Sequence, residues 1–593
     1  MAVFLLVLLA AGNVVSADCP QDVQAYKAAV ANGEAWAIQM LDASIVFPDG
    51  LMYAPGPRLG HFEQCLSAPS APNYCLVGYQ MNAIPRYQRV ILRRKETLPA
   101  ATVQVAACVP SSCDAAGAVE VAAFNLQGVL DRYGGQLKQS FCYIEDQFDG
   151  KAIAFVAVSV ALISATFLAS FTEKIPWLSA RHNLIELFRQ PPRTSIHCVH
   201  GVRCLSIAWV MVGHKFYTQS LVAPPAPSGP EAALPWFTAI GWNAYLSVDT
   251  FLLVSAMLSA RAIAKFRRLP LVPFYLLRIL RLWPALAAVV FFYACASTLV
   301  ARGPLWAPHV QTEAQFCRDR WWSTLIFLNN YIDVDVNPCL SFSWYLSIDM
   351  QLAWLSPLVL FPLLKWQKKG VIWTLVLLSA TIITIFTLTM VYNLPWTMSL
   401  LAKGDKIVLF WDLVYTNTPL RSQPYLIGLL LGFFIERPFK RISDKIIAVG
   451  WAASLGCFFG VVFSVLLDLV GVLADSSVAA AFYSSTHRIL WSCSLSWLIF
   501  ACHKGFGGPI NKFLSLKVWV PLSRLTYCVF LTHLSYMTML AAAHKAESQF
   551  TFYDVILGYY GDIALVWLPA LLLHLTVEAP MSGLVKILAN KLQ

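Results

Sequence analysis

The sequence predicts an all-α polytopic membrane protein of about eleven transmembrane helices, with a small, mostly helical, disulfide-rich luminal or extracellular domain at its N-terminus. Three observations predict it. Hydrophobic residues fill 58% of 593 positions and charged residues only 13%, too apolar a mixture for an ordinary soluble core. Long apolar stretches recur beyond residue 150, with Lys and Arg concentrated in alternate loops between them. Six cysteines, Cys19, Cys65, Cys75, Cys108, Cys113 and Cys142, precede the first stretch.

Residues 1–17 read as a secretory signal peptide: a short apolar run ends in small residues before Asp18. No Lys or Arg precedes the run, so a signal-anchor is the competing reading, though the run is short for a span. Residues 18–150 form the cysteine-rich domain, with helical patterning over 23–41 and 116–130. An even cysteine count behind a signal argues for three disulfides in an oxidising compartment, and the sequence leaves their pairing open.

Residues 151–593 form the membrane domain. Apolar stretches lie at about 151–172, 202–220, 239–260, 282–300, 345–364, 371–393, 423–436, 446–470, 484–502, 518–541 and 555–577. The loops at 173–200 and every second loop thereafter hold 23 Lys and Arg residues, against eight in the intervening loops, among them Arg421 and Arg488. By the positive-inside rule the N-terminal domain is luminal or extracellular and the C-terminus cytosolic, in the endoplasmic reticulum or plasma membrane. The net charge of +11 therefore serves topology and gives no sign of nucleic-acid binding. The longest outside loop, 301–343, contains Cys317 and Cys339, which fit a fourth disulfide.

Candidate chemistry begins with Arg203, Ser206 and His214. Eleven helical steps come to about three turns, so Arg203 and His214 share a face, about 16 Å apart along the axis. Ionisable groups at membrane depth are costly and read as functional. A neutral imidazole suits a general base; an interhelical hydrogen bond is the competing role. Asp249, in the next span at similar depth, is the candidate to orient His214. Arg278 and Arg281, at the cytosolic face, project from one side of a helix and fit either a phosphate clamp or simple charge anchoring. Trp344, Tyr345 and Asp349 face the outer side, and His533 and His574 are further imidazoles within spans, read as structural contacts. No P-loop, dinucleotide fingerprint, HExxH or GxSxG motif occurs, and no metal or cofactor is implied.

Together these residues resemble the membrane acyltransferase family 3, and the whole chain is similar to its nose-resistant-to-fluoxetine (NRF) branch. The carrying segments are the run from Trp36 to Cys75, His200 to His214 (an Arg-x10-His motif), Arg278 to Arg281 (RxxR) and Trp344 to Gln351 (WYLxxDMQ). Arg421 to Gly428, Pro521 to His533 and Glu578 to Pro580 extend the match. The resemblance implies transfer of an acyl group from cytosolic acyl-CoA, as co-substrate, to a lipid, sugar or other hydroxylated acceptor. His214 would be the base, Arg203 would engage the donor, and Arg278 and Arg281 would hold the CoA phosphates. Asp249 would assist catalysis, while Ser206, Trp344, Tyr345, Asp349 and His533 would lie on the acceptor side. Ala256 departs from the family, which usually has Gly after Ser255. NRF relatives are associated with uptake of lipids or drugs, so the competing function is a lipid or small-molecule transporter using the same groups. A binding module on a membrane anchor is the third reading, and the many charges within spans count against it. Oligomeric state, acyl chain and acceptor stay open.

Overall fold

The computed structural model describes residues 18–46, 57–80, 102–172, 174–223, 239–241, 243–264, 271–332, 338–397, 404–438, 442–464, 466, 477–546 and 551–592. The expected signal peptide, 1–17, lies outside them.

The N-terminal domain combines helices α1 (Cys19–Ala31), α2 (Ala35–Ala43), α3 (Phe62–Leu66) and α4 (Ala115–Asn125) with a three-stranded antiparallel sheet. Its strands are β1 (Asn73–Gln80), β2 (Thr102–Val109) and β3 (Gln136–Cys142), ordered β2-β1-β3. The sheet was not foreseen from the sequence, although helices still form the larger part of the domain. β1 is buried from Tyr74 to Tyr79 on both faces, so it reads as an unbroken apolar run without alternation. Asp114 caps α4 by accepting from the amides of Ala116 and Gly117 at 3.0 and 3.1 Å. The disulfides pair Cys19 with Cys113, Cys65 with Cys108 and Cys75 with Cys142. Cys75 and Cys142 face each other in the β1–β3 register, so that bond closes the sheet. Cys317 and Cys339 are joined as expected.

Among the described residues, eight helical segments are long and apolar enough to cross a membrane. They include α5 (Gly150–Ala169), α7 (Leu246–Ile263), α8 (Leu271–Cys295), α9 (Trp344–Leu355, continuing through Pro357–Trp366) and α10 (Lys368–Tyr392). α12 (Asp444–Val462), α14 (Trp519–Ala542) and α15 (Phe552–Leu573) complete them. Three more expected spans are helical but fall short of that standard: α6 (Cys198–Val222), α11 (Gln423–Ile435) and α13 (Ser477–His503). α11 is too short; α6 and α13 carry polar and ionisable residues and lie inside the bundle, where they bury Ser206, Ser484, His487 and Arg488. α6 ends before Pro224 and Pro225, which cannot continue a helix.

The N-terminal domain rests on one end of the bundle. Val222, Leu305, Trp306 and Ala542 join its apolar core, and Glu63 pairs with Arg302 at 3.1 Å and with Lys545. Those ion pairs are exposed, so apolar burial carries the contact.

α7 and α11 touch backbone to backbone. A Cβ at Gly428 would lie 2.3 Å from the Leu253 carbonyl oxygen and 2.8 Å from the Ala256 Cβ; Gly432 meets Met257 and Ala260 in the same way. Small residues four apart on both helices permit this approach. Gly428→Val is expected to lower stability by about 1–3 kcal/mol through overpacking. Monodispersity after a temperature series checks this; an unchanged midpoint would mean that the two helices are free to separate.

Candidate active site

Two imidazoles meet near the middle of the bundle. His214 of α6 places its Nδ1 2.6 Å from the Nε2 of His533 of α14, with ring centroids 4.8 Å apart. His533 Nδ1 lies 2.8 Å from the Phe530 carbonyl oxygen and 3.0 Å from that of Val529. Both are acceptors, so this nitrogen carries the hydrogen. The Nε2 of neutral His533 is then an acceptor, and His214 Nδ1–H donates to it. His214 keeps the lone pair on its own Nε2. The network fixes one tautomer of each ring.

A guanidinium cluster lies about three helical turns away along α6. Arg203, earlier on α6, has Arg281, Tyr345 and Asp349 as its electrostatic neighbours. Arg278 of α8 donates to Asp349 of α9 and, at 2.9 Å, to Ser255 of α7. Arg203 and Arg281 form no ion pair among the described residues. Three guanidiniums thus lie near one another with one carboxylate, and among the described residues only Arg278 pairs with it. Tyr345 links the cluster to the imidazoles: its ring is 5.3 Å from Phe530, which is 5.9 Å from His533.

Two other buried groups flank this centre. Asp249 pairs with Arg421 at 3.1 Å, and Trp344 lies 5.4 Å from the Arg421 guanidinium. Glu578 accepts from His574 Nδ1 at 2.7 Å and from the Cys528 thiol at 3.1 Å on one oxygen. The ligand atoms of this trio lie within 4.8 Å of one another, near enough to hold a metal ion, but hydrogen bonds already use them.

On the side of the N-terminal domain, Glu313 of the helix Thr312–Leu325 accepts from the Ser341 amide at 3.3 Å. It lies outside the candidate spans, and burial pushes its carboxyl up to about 7. A folded-state value above the ordinary 4.5 means that the folded chain holds this proton more tightly. The associated stability is full below pH 4.5 and lost as pH rises through about 7. Glu313→Gln should flatten that fall in a melting series from pH 4.5 to 8. A slope identical to wild type would assign the fall to other groups.

Comparison with known proteins follows this geometry. A family model described as an acyltransferase domain (Acyl_transf_3) matches residues 196–573, more than half of the chain. The chain belongs to the acyltransferase 3 family. A second model, the N-terminal domain of nose resistant-to-fluoxetine protein, matches residues 19–121. Nose resistant to fluoxetine protein 6 of Caenorhabditis elegans is 28% identical over 439 residues, covering 67% of this chain and 52% of the relative. The chain therefore spans about half the length of that relative. Regulator of hypoxia-inducible factor 1 from the same organism is 23% identical over 487 residues, covering 74% of this chain and 92% of the relative. No solved structure matches significantly.

The acyltransferase 3 domain groups Arg203, Arg278, Arg281, Tyr345 and Asp349 in one cluster and pairs His214 with His533 in another, with Ser206 buried on the α6 stretch between Arg203 and His214. One expectation is corrected and the others gain partners. Asp249 does not orient His214: it faces α11 and Arg421, because equal depth in neighbouring helices does not fix which way a side chain points. The partner of His214 is His533, which makes the interhelical polar contact expected of it. Asp349, expected on the acceptor side, joins the arginines, and Trp344 joins Arg421. Arg278 and Arg281 lie within α8, which begins at Leu271, eleven residues before the expected span. Asp349 supplies the counter-charge that lets Arg278 sit there.

Ala256 causes no obstruction where it departs from the family, since Gly428 faces it. The sequence reading missed three features. Arg421 and Arg488, counted as loop charges, are fully buried at 0% and 1% exposure. Lys215, beside His214, pairs with Asp562 of α15 at 3.0 Å. Glu578 anchors His574 and Cys528.

Proposed function

We propose that this acyltransferase 3 family member is an acyl-CoA-dependent O-acyltransferase with His214 as its general base. The observation that carries the reading is the imidazole pair. A hydrogen-bonded Nδ1–H leaves the His214 Nε2 lone pair free to take a proton. In the proposed step a hydroxyl oxygen of the acceptor attacks the thioester carbonyl carbon while His214 Nε2 removes its proton. The C–S bond then breaks, and the leaving CoA thiolate takes that proton from His214. His533 holds the His214 ring in the reactive tautomer, the role for which Asp249 was first considered. Arg203, about three turns of α6 from His214, and its neighbour Arg281 attract and orient the anionic phosphates of the donor. Arg278, held by Asp349 and Ser255, keeps that cation cluster in place.

The N-terminal domain covers the acceptor end of the bundle in this reading, with the donor entering from the cytosolic side. The acceptor is a membrane lipid or a hydroxylated small molecule.

Purified full-length protein in detergent, given acetyl-CoA as probe and a lipid extract as acceptor, is expected to release free CoA thiol. The transporter alternative predicts no thiol release, together with saturable lipid flux into liposomes lacking any acyl donor. That pair of results would overturn the reading.

A further inference from the structure

Beside the imidazole centre lies a second buried cluster, formed by Asp249 of α7, Arg421 just before α11, and Arg488 of α13. All three are enclosed, at 0%, 0% and 1% exposure. Arg421 Nε is 3.1 Å from Asp249 Oδ1, and Arg488 has Arg421 and Asp249 as its charged neighbours. Two guanidiniums thus share one carboxylate among the described residues, leaving one positive charge uncompensated. A lone excess charge in an apolar interior is strongly unfavourable unless something neutralises it.

The donors point to what that something is. The guanidinium of Arg421 lies 4.4 Å from the Tyr415 ring and 5.4 Å from Trp344. Aromatic rings therefore pack against the guanidinium. Nη1 and Nη2 of Arg421, with Nε and Nη1 of Arg488, have no hydrogen-bond acceptor among the described residues. A planar edge of paired donors suits two oxygens of one anion better than a single carbonyl. His487, next to Arg488, has its Nδ1 2.9 Å from the Tyr483 carbonyl oxygen, so that nitrogen offers nothing to the arginines.

We propose that Arg421 and Arg488 form a binding site for one singly charged oxyanion, a carboxylate or a phosphodiester, on an amphipathic molecule. The charge balance sets the valence, and the apolar core around the cluster sets the apolar body. A fatty acid and an anionic phospholipid share this chemistry. The site is independent of the acyl-transfer reading. It still adjoins the reacting centre, because Trp344 meets Arg421 while its chain neighbour Tyr345 packs on Phe530 beside His533.

The test is native mass spectrometry of the full chain in a neutral detergent, with added oleate, dioleoylphosphatidylglycerol or uncharged monoolein. Wild type is expected to retain one oleate or one phosphatidylglycerol, and whichever is retained identifies the source. Arg488→Gln should weaken that binding at least tenfold. Asp249→Asn raises the excess charge and should strengthen it at least tenfold, a gain that misfolding cannot mimic. The proposal fails if wild type retains neither anion, if monoolein binds as well as the anions, or if Asp249→Asn gains nothing.

Discussion

His214→Ala is expected to cut thioester turnover by about 10²–10⁴-fold, the range for removing a positioned general base. His533→Phe keeps a ring of similar size but removes the acceptor for His214 Nδ1–H. That hydrogen would then be free to move to Nε2, and the base would lose its lone pair at the reacting position. The expected loss is roughly 10–100-fold, by analogy with loss of other groups that orient a histidine. It should fall on kcat rather than KM, because His533 does not face the arginines proposed to hold the donor. His533→Gln, whose side-chain oxygen can accept, should recover part of the rate. Free-thiol kinetics over a range of acyl-CoA concentrations separate these outcomes. A KM effect without a kcat effect would make His533 a donor-binding residue instead.

Cys75→Ser is expected to destabilise the N-terminal domain by about 2–5 kcal/mol, the usual consequence of losing a native disulfide from a small domain. The bond spans 67 residues and joins directly opposed positions of β1 and β3. Cys317→Ser releases a closure of only 22 residues. On chain-entropy grounds its effect should be smaller by about 1 kcal/mol. Limited proteolysis across a temperature ramp reads both: the Cys75 variant should be cut within 18–145 well below the wild-type transition. Equal resistance in the two variants would mean that the sheet is held by packing alone.

The parts of this molecule visible in the sequence are those encoded locally. The α6 stripe follows from helical spacing, which puts Arg203 and His214 on one face whatever surrounds them. The apolar helices follow from hydropathy, and the Cys317–Cys339 bond from two cysteines alone in one loop. What stayed hidden depends on partners far apart in the chain. His214 and His533 are separated by 319 positions, and no local pattern marks one as the other's acceptor. Arg421 and Arg488 looked like loop charges because they neighbour apolar runs, yet the first pairs with Asp249 and both turn inward. β1 hid for the opposite reason: burial on both faces removed the alternation that announces a strand.

The most direct measurement of the central claim follows the acyl group itself. Purified protein is incubated with acyl-CoA labelled in the acyl carbonyl carbon and with extracted membrane lipid, and the label is traced by mass spectrometry. The account expects an acyl ester carrying the label with wild type and none with His214→Ala, while Arg203→Ala forms it only at raised donor concentration. Label remaining on CoA with wild type, or an ester formed equally well by His214→Ala, would contradict it.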